Sequence, residues 1–399
     1  MPDTSPADYS LAIEVSKRRA KIGLYVTVVF LFWMALYLYV PTLPVYAQTR
    51  TDNLALIGVV ISMYGLWQAI IRLPLGIAAD WLGRSKPFIM AGMVLVGLGA
   101  WVMGTANGIN GLIVGRAITG LAAGTWVPLI VMFSSFFPHA EAVRATAVLT
   151  LVLSVSKLVA TGLTGWLNEL GGYPLAFFLA TGTAGLAILL LIPAQETRRP
   201  SKAPSLRGIG KLITRRDVLI PALLNTIGQY VGMASTFGFI PILAQSLGAG
   251  NVMQSLLVAV NFVVYILGNL LATTVVRRIG NRAMVVASFV MMAAGLVIAA
   301  AATSLVWVFA AQVCCGLAGG VSYPVLMGMS IEDVSSGERS TAMGLHQSVY
   351  GIGMFAGPWL SGILANAIGI QPMFGVTAFA CLTLGLLGAR RLARLKFDD

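Results

Sequence analysis

Apolar residues fall into twelve long runs, and polar residues collect in the short stretches between them. Each run approaches or exceeds the roughly 20 residues a helix needs to cross a hydrocarbon core. The pattern predicts helical spans over 22–47, 54–79, 87–106, 109–136, 142–168, 173–193, 218–247, 251–276, 283–302, 304–331, 339–367 and 371–389, numbered here as spans 1 to 12. Many are longer than a straight crossing, which predicts tilt or protruding ends. Pro41, Pro44, Pro128, Pro241, Pro324 and Pro358 fall inside spans. Prolines are tolerated there because neighbouring helices can satisfy the freed backbone groups. The expected fold class is an all-α membrane protein of twelve transmembrane helices.

Composition supports lipid as the solvent. Of 399 residues, 58% are hydrophobic and 10% charged, against about 25% charged in ordinary soluble domains. The charges are unevenly placed. One side of the expected bundle carries Lys17, Arg18, Arg19, Lys21, Arg84, Lys86, Arg144, the basic link between spans 6 and 7, Arg277, Arg278, Arg282, Arg339 and the arginines of the tail. The opposite loops carry Arg50. By the positive-inside rule, both termini are expected in the cytoplasm, with the protein in the cytoplasmic (inner) membrane. The net charge of +12 therefore reads as topology, and no nucleic-acid partner is expected. Lys17 to Lys21 followed by an apolar run imitates a secretory leader, but that run is far longer than a leader's 7–15-residue core. Cys314, Cys315 and Cys381 all lie within spans, so no disulfide framework is implied.

The link over 194–217 separates six spans from six. It divides the chain into an N-terminal bundle, 1–193, and a C-terminal bundle, 218–399. Its stretch Arg207–Arg216 could lie as a basic helix on an anionic leaflet or remain a solvated linker. The halves repeat. Gly120-Leu-Ala-Ala-Gly124 with Pro128 matches Gly316-Leu-Ala-Gly-Gly320 with Pro324 at a shift of 196. Arg144-Ala-Thr-Ala147 matches Arg339-Ser-Thr-Ala342 at a shift of 195. Two parallel six-helix bundles with a site between them near the midplane are one transporter plan.

The loop after span 2 reads Gly76-Ile-Ala-Ala-Asp80-Trp-Leu-Gly83-Arg84-Ser-Lys86. It resembles the signature of the major facilitator superfamily, departing from it at Trp81 and Ser85. Arg116-Ala-Ile-Thr-Gly120-Leu-Ala-Ala-Gly124 resembles a second element of that family. The resemblance spans the whole chain through span count, linker and repeat. It implies two pseudo-symmetric six-helix bundles that rock about a central site. It also implies gating by Gly76, Asp80, Gly83 and Arg84, with Asp80 facing the start of span 11 near Arg339, where unpaired N–H groups favour a carboxylate. Gly76 and Gly83 are read as allowing close helix approach and a tight turn. In the second half Arg277 stands where Asp80 does in the first. Arg277 or Arg278 is therefore expected to pair with Glu141 at the start of span 5.

Ionisable groups inside a membrane are functional candidates. No Asp or Glu lies deep in a span. The deep groups are Arg116 in span 4, Lys157 in span 5 and His346 in span 11, with Arg72 expected to snorkel toward Asp80 or the headgroups. Arg116 and Lys157 lie at roughly 10 and 17 Å depth from the outer ends of their spans at 1.5 Å per residue. Two cations without a deep carboxylate suit an anionic or zwitterionic ligand, or an anionic lipid headgroup. Lys157 or His346 could alternatively exchange a proton; no other cofactor is implied. Further candidates for contact with solute are Tyr37, Asn225, Gln229, Tyr265, Gln312, Tyr323 and Tyr350. Aromatic rings with a few amides suit a moderately apolar ligand. The Gly351–Pro358 stretch of span 11 resembles an antiporter element that the family places in span 5, and span 5 here lacks its proline. The expected function is secondary active transport of small amphipathic organic solutes by a monomer among membrane lipids, in the efflux direction. The alternative is uptake of an organic anion, or flipping of a lipid or lipid-linked headgroup. Intramembrane hydrolysis needs a nucleophile with a base or paired aspartates, and neither is legible, so no enzyme and no metal centre are expected.

Overall fold

The computed structural model describes residues 6–137, 141–194, 196, 210, 212–335 and 338–395. Among them are helices and turns and no strand. The apolar runs all become helices. Eleven helical stretches are long and apolar enough to cross a membrane. One of them, Ala142–Leu191, has 50 residues, about 75 Å at 1.5 Å per residue, more than twice a hydrocarbon core. Inside it Gly171 (φ −147°, ψ 21°) and Gly172 (φ 69°, ψ 178°) are not helical, and there the chain doubles back. Asn168 Nδ2 donates to Thr42 Oγ1 at 2.7 Å, and Phe177 stacks on Tyr39 at 4.7 Å. Both arms thus touch the same end of span 1. This stretch supplies spans 5 and 6 and brings the crossings to twelve.

The repeat seen in sequence has a structural counterpart. A Cβ at Gly120 would lie 2.7 Å from the Tyr64 carbonyl oxygen, and one at Gly316 would lie 2.7 Å from that of Asn261. Spans 2 and 4, and spans 8 and 10, therefore touch backbone to backbone, which small residues permit. Spans 1 and 7 also break alike. Span 1 is helical over Pro6–Tyr37, tightens over Val40–Thr42 and resumes at Leu43–Gln48. Span 7 is helical over Arg216–Ala234, widens over Ser235–Phe239 and resumes at Ile240–Ser246. Each break precedes a proline followed by the same Ala-Gln pair, Pro44 with Ala47-Gln48 and Pro241 with Ala244-Gln245. Proline lacks an N–H and crowds the preceding turn, which opens the helical ladder.

The halves meet along spans 2 and 11 and along spans 5 and 8. The Leu54 amide donates to Asn366 Oδ1 at 3.2 Å. A Cβ at Gly58 would sit 2.3 Å from the Pro358 oxygen, and one at Gly165 would sit 2.4 Å from the Asn251 oxygen. These contacts close the end that the charge pattern assigns to the outside.

At the opposite end the turns form as the spacing predicts, with Gly83 at φ 63° and Gly280 at φ 80°. One gating expectation is corrected, at Gly76. A Cβ at Gly76 would meet Val127 at an ordinary 3.6 Å, so this glycine is not needed for close approach. Glu141 pairs with Arg18 at 3.5 Å rather than with Arg278, which is exposed. Span 1 extends far enough for Arg18 Nε also to donate to the Phe136 carbonyl at 2.9 Å, which brings it beside the start of span 5. Arg339 Nε donates to the Val334 carbonyl at 3.2 Å, within its own loop. Arg84 is exposed. The side chains of Asp80 and Arg277 lie outside the described residues, as do Arg207, Gly208, Ile209 and Lys211.

Both ends of the link are tied down. Glu196 accepts from the Ser85 amide and, at 3.0 Å, from the Lys86 amide. These amides lie at the start of span 3, where helix N–H groups have no intrahelical acceptor. Lys86 Nζ returns the contact to the Ile192 and Ala194 carbonyls at 2.7 Å each. Arg215 pairs with Asp217 and donates to the Asp333 carbonyl at 2.9 Å.

Candidate functional site

The breaks in spans 1 and 7 lie in the outer parts of those spans, and the aromatic residues beside them converge. Tyr37 meets Phe237 at 6.2 Å and Phe262 at 6.0 Å, both edge-on. Tyr37, Tyr64, Arg116, Met233 and Phe237 line a cavity of about 10 Å³ between the halves, roughly the room of one water molecule.

The basic groups approach this centre from the N-terminal half. Arg116 is 2% exposed, and its guanidinium carbon lies 4.4 Å from the Tyr64 ring centroid. Its Nε and Nη1 have no hydrogen-bond partner among the described residues, although the Tyr39 hydroxyl lies close by. Lys157 is half-buried. Its Nζ lies 4.5 Å from the Trp33 ring and 4.4 Å from the Tyr37 ring, an aromatic seat for its own ammonium. Arg72 does not snorkel as expected. It is 5% exposed, and its Nη1 donates across the interface to the Tyr350 hydroxyl at 3.0 Å. The reason is that a hydroxyl acceptor from the other half is nearer than the surface. Tyr64 stands within electrostatic reach of both Arg116 and Arg72, and Lys157 of Arg72.

The C-terminal half contributes rings and amides. Tyr350 packs edge-on against Tyr323 at 6.0 Å, and Tyr323 lies within reach of Tyr265 and Arg72. Asn225 and Gln312 do not face the cavity as free groups. Gln312 Oε1 accepts from Thr236 Oγ1 at 2.9 Å and from Asn261 Nδ2 at 3.3 Å. Asn225 Nδ2 contacts His346 Nε2 at 2.8 Å. Gln229 is half-buried, and among the described residues no hydrogen bond joins it to Asn225, although the two share a helix face.

His346 is fully buried, and its tautomer follows from its neighbours. Ser330 Oγ gives its one proton to the Val218 carbonyl at 3.0 Å. It must therefore accept from His346 Nδ1–H, 2.6 Å away. Nε2 is then the acceptor for Asn225. A neutral imidazole with both nitrogens engaged ties spans 7, 10 and 11 together. The structure thus separates His346 from Lys157, which the sequence placed together as proton-exchange candidates.

The sequence reading missed Tyr64, Phe237 and Phe262. Tyr64 lies eight residues before Arg72 on the same face of span 2, and Phe237 sits in the span 7 break. The proline repeat could have pointed to the latter.

The Major Facilitator Superfamily description matches residues 25–228 and again 222–397, one match for each half. An uncharacterised MFS-type transporter of Methanocaldococcus jannaschii is 18% identical over 89% of this chain and 93% of its own length. The quinolone resistance protein NorA of Staphylococcus aureus is 23% identical over 41% of this chain and 42% of its own. In fold, the chain is similar to a bacterial homologue of the human lysosomal transporter Spinster, with TM-score 0.78, 14% identity, and 94% and 97% of the two chains covered. With both halves matched and the fold shared, the chain belongs to the major facilitator superfamily of membrane transporters.

Proposed function

We propose that this protein moves a small amphipathic organic solute across the cytoplasmic membrane by alternating access through the central cavity. The observation that carries this reading is the cavity itself. It lies where the halves meet, is walled by Tyr37, Tyr64 and Phe237, and holds a buried guanidinium with unmatched donors. Aromatic walls with a few fixed polar groups suit an organic ligand. Its present volume admits no such solute, so binding requires the halves to move apart. The contacts of Gly58 and Gly165 across the interface are those that must separate for the closed end to open. Export is the direction of this reading, supported by the likeness to the quinolone resistance protein over part of the chain. Lys157 is the group placed to exchange a proton with the solute or its pathway, because its ammonium has aromatic neighbours but no carboxylate partner among the described residues.

The test is flux of labelled solutes in proteoliposomes, with and without an imposed pH gradient. Saturable, protein-dependent flux in either direction supports transport. Flux that ignores the gradient removes proton coupling. Absence of protein-dependent flux across a broad panel of anionic, neutral and cationic solutes counts against transport.

A further inference from the structure

We infer that the solute is an organic anion, its carboxylate or phosphate head held by Arg116 and its apolar body laid against Tyr37, Tyr64 and Phe237. This rests on the transport reading for its place in a cycle, but the binding claim stands on separate observations.

The first is an imbalance of donors and acceptors. In a folded interior, buried polar groups find partners, and each exception calls for a reason. Here Arg116 Nε and Nη1, Arg72 Nε and Trp33 Nε1 are buried donors without partners. On the same spans, Gln48 Oε1 and Gln68 Oε1 are buried acceptors left over, and the Tyr39 hydroxyl is also unmatched. The Arg116 guanidinium lines the cavity, so a ligand there that pairs with its donors must be an acceptor. A guanidinium in this setting favours a planar or tetrahedral oxyanion, because its fork matches carboxylate and phosphate geometry.

The second is charge. Arg72, Arg116 and Lys157 place three basic groups within the spans, while no Asp or Glu falls in the middle of any span. Unpaired charges in the membrane interior are costly. A ligand that arrives carrying negative charge removes that cost when it binds, which gives the site affinity and selectivity from one source.

The third excludes the opposite sign. An organic cation would seek an aromatic cage. The cage formed by Trp33 and Tyr37 is already filled by the Lys157 ammonium, 4.5 and 4.4 Å from the two rings. A cation would have to displace a tethered one beside two guanidinium groups.

The rings define the organic part. Tyr64 lies under Arg116, and Phe237 faces Tyr37, so the anion head and an apolar body meet different walls of one cavity. Inorganic phosphate would use the first wall alone.

Purified protein in detergent should be titrated with matched probes while thermal unfolding is followed. The probes are benzoate, phenyl phosphate, benzamide, benzyltrimethylammonium, inorganic phosphate and phosphatidylglycerol. Benzoate and phenyl phosphate should raise the unfolding temperature. Benzamide and benzyltrimethylammonium should not, and inorganic phosphate should bind at least tenfold more weakly than phenyl phosphate. Arg116→Gln places in this half the residue that the other half carries at the matching position, and should weaken phenyl phosphate binding at least tenfold. Arg116→Lys, which keeps the charge and loses the fork, is the second variant and should also weaken phenyl phosphate binding; the probe series on the unaltered protein does not depend on either variant folding. Stabilisation by the cation, equal binding of benzamide and benzoate, no response to either organic anion, or an Arg116→Gln protein within twofold of the parent would overturn the inference. So would a response to phosphatidylglycerol alone, which would assign the guanidinium groups to a lipid headgroup. Flux separates this from the transport reading. Phenyl phosphate that binds but does not cross leaves the anion site and removes the carrier. Arg116-independent flux of a neutral or cationic solute does the reverse.

Discussion

Arg116 and Gln312 stand at the same place in the two halves, 196 residues apart, four residues before the glycines that bring spans 2 and 4, and spans 8 and 10, into backbone contact. The surroundings have diverged. In the C-terminal half, Thr236 from the span 7 break and Asn261 from span 8 both donate to the Gln312 carbonyl oxygen. That oxygen is consumed in holding the bundle together, while Gln312 Nε2 has no partner among the described residues. In the N-terminal half, the guanidinium rests on Tyr64 and keeps two donors unmatched. The same scaffold position serves cohesion on one side and remains open for a ligand on the other. Lys157 and His346 differ in the same way: the ammonium lies against ring faces, while the imidazole is engaged at both nitrogens.

Exchanging the pair is the severest test. Gln312→Arg would bury a cation that no carboxylate offsets and would remove the acceptor for Thr236, a change expected to cost about 3–5 kcal/mol. It should appear as a large fall in unfolding temperature or a failure to accumulate. Arg116→Gln should leave the unfolding temperature unchanged or higher while abolishing solute response. Equal losses for both substitutions would mean that the halves do not divide labour in this way.

Glycine contacts within a half and between halves should respond differently. Gly120→Val and Gly316→Val meet the same carbonyl geometry and should destabilise by similar amounts, about 1–3 kcal/mol or more. Gly165→Leu presses instead on Asn251 and Val252 of the opposite half. It should leave unfolding nearly intact but lower cross-linking between cysteines placed at positions 54 and 366, because the closed end opens. A loss of folding without a change in cross-linking would contradict this.

The titratable pair sharpens the comparison further. His346→Gln should cost about 1–3 kcal/mol through its lost hydrogen bonds, yet leave the dependence of flux on the pH gradient unchanged. Lys157→Gln should flatten that dependence at little cost in stability. The opposite assignment would move proton exchange to the C-terminal half.

The smallest effect is expected at the link. Glu196→Ala removes an acceptor for two amides at the start of span 3 and should cost about 1 kcal/mol. Faster proteolysis near 194–217 would report it. Arg215→Ala, at the more exposed far end, should cost less.

Much of the fold was legible because lipid imposes it. A span must be apolar and about 20 residues long whatever its neighbours do. Hence the hydropathy pattern placed spans 5 and 6 apart even though only the non-helical Gly171 and Gly172 part their helices. The repeat, the Gly83 turn and the presence of basic groups in the interior were likewise local properties of the chain. The partners were not. Whether Arg72 turned to the surface or to Tyr350, whether Glu141 met Arg278 or Arg18, and whether Gln312 faced a solute or Thr236 depended on helix rotations. In an apolar solvent these rotations are set by close packing of small residues rather than by a hydrophobic stripe. The sequence by itself determined a twelve-span, two-half membrane protein with basic residues in its interior. Only the tertiary structure decided which of its polar residues hold the bundle together and which are left with unmatched donors, because that distinction lies in contacts between residues 51 to 278 positions apart.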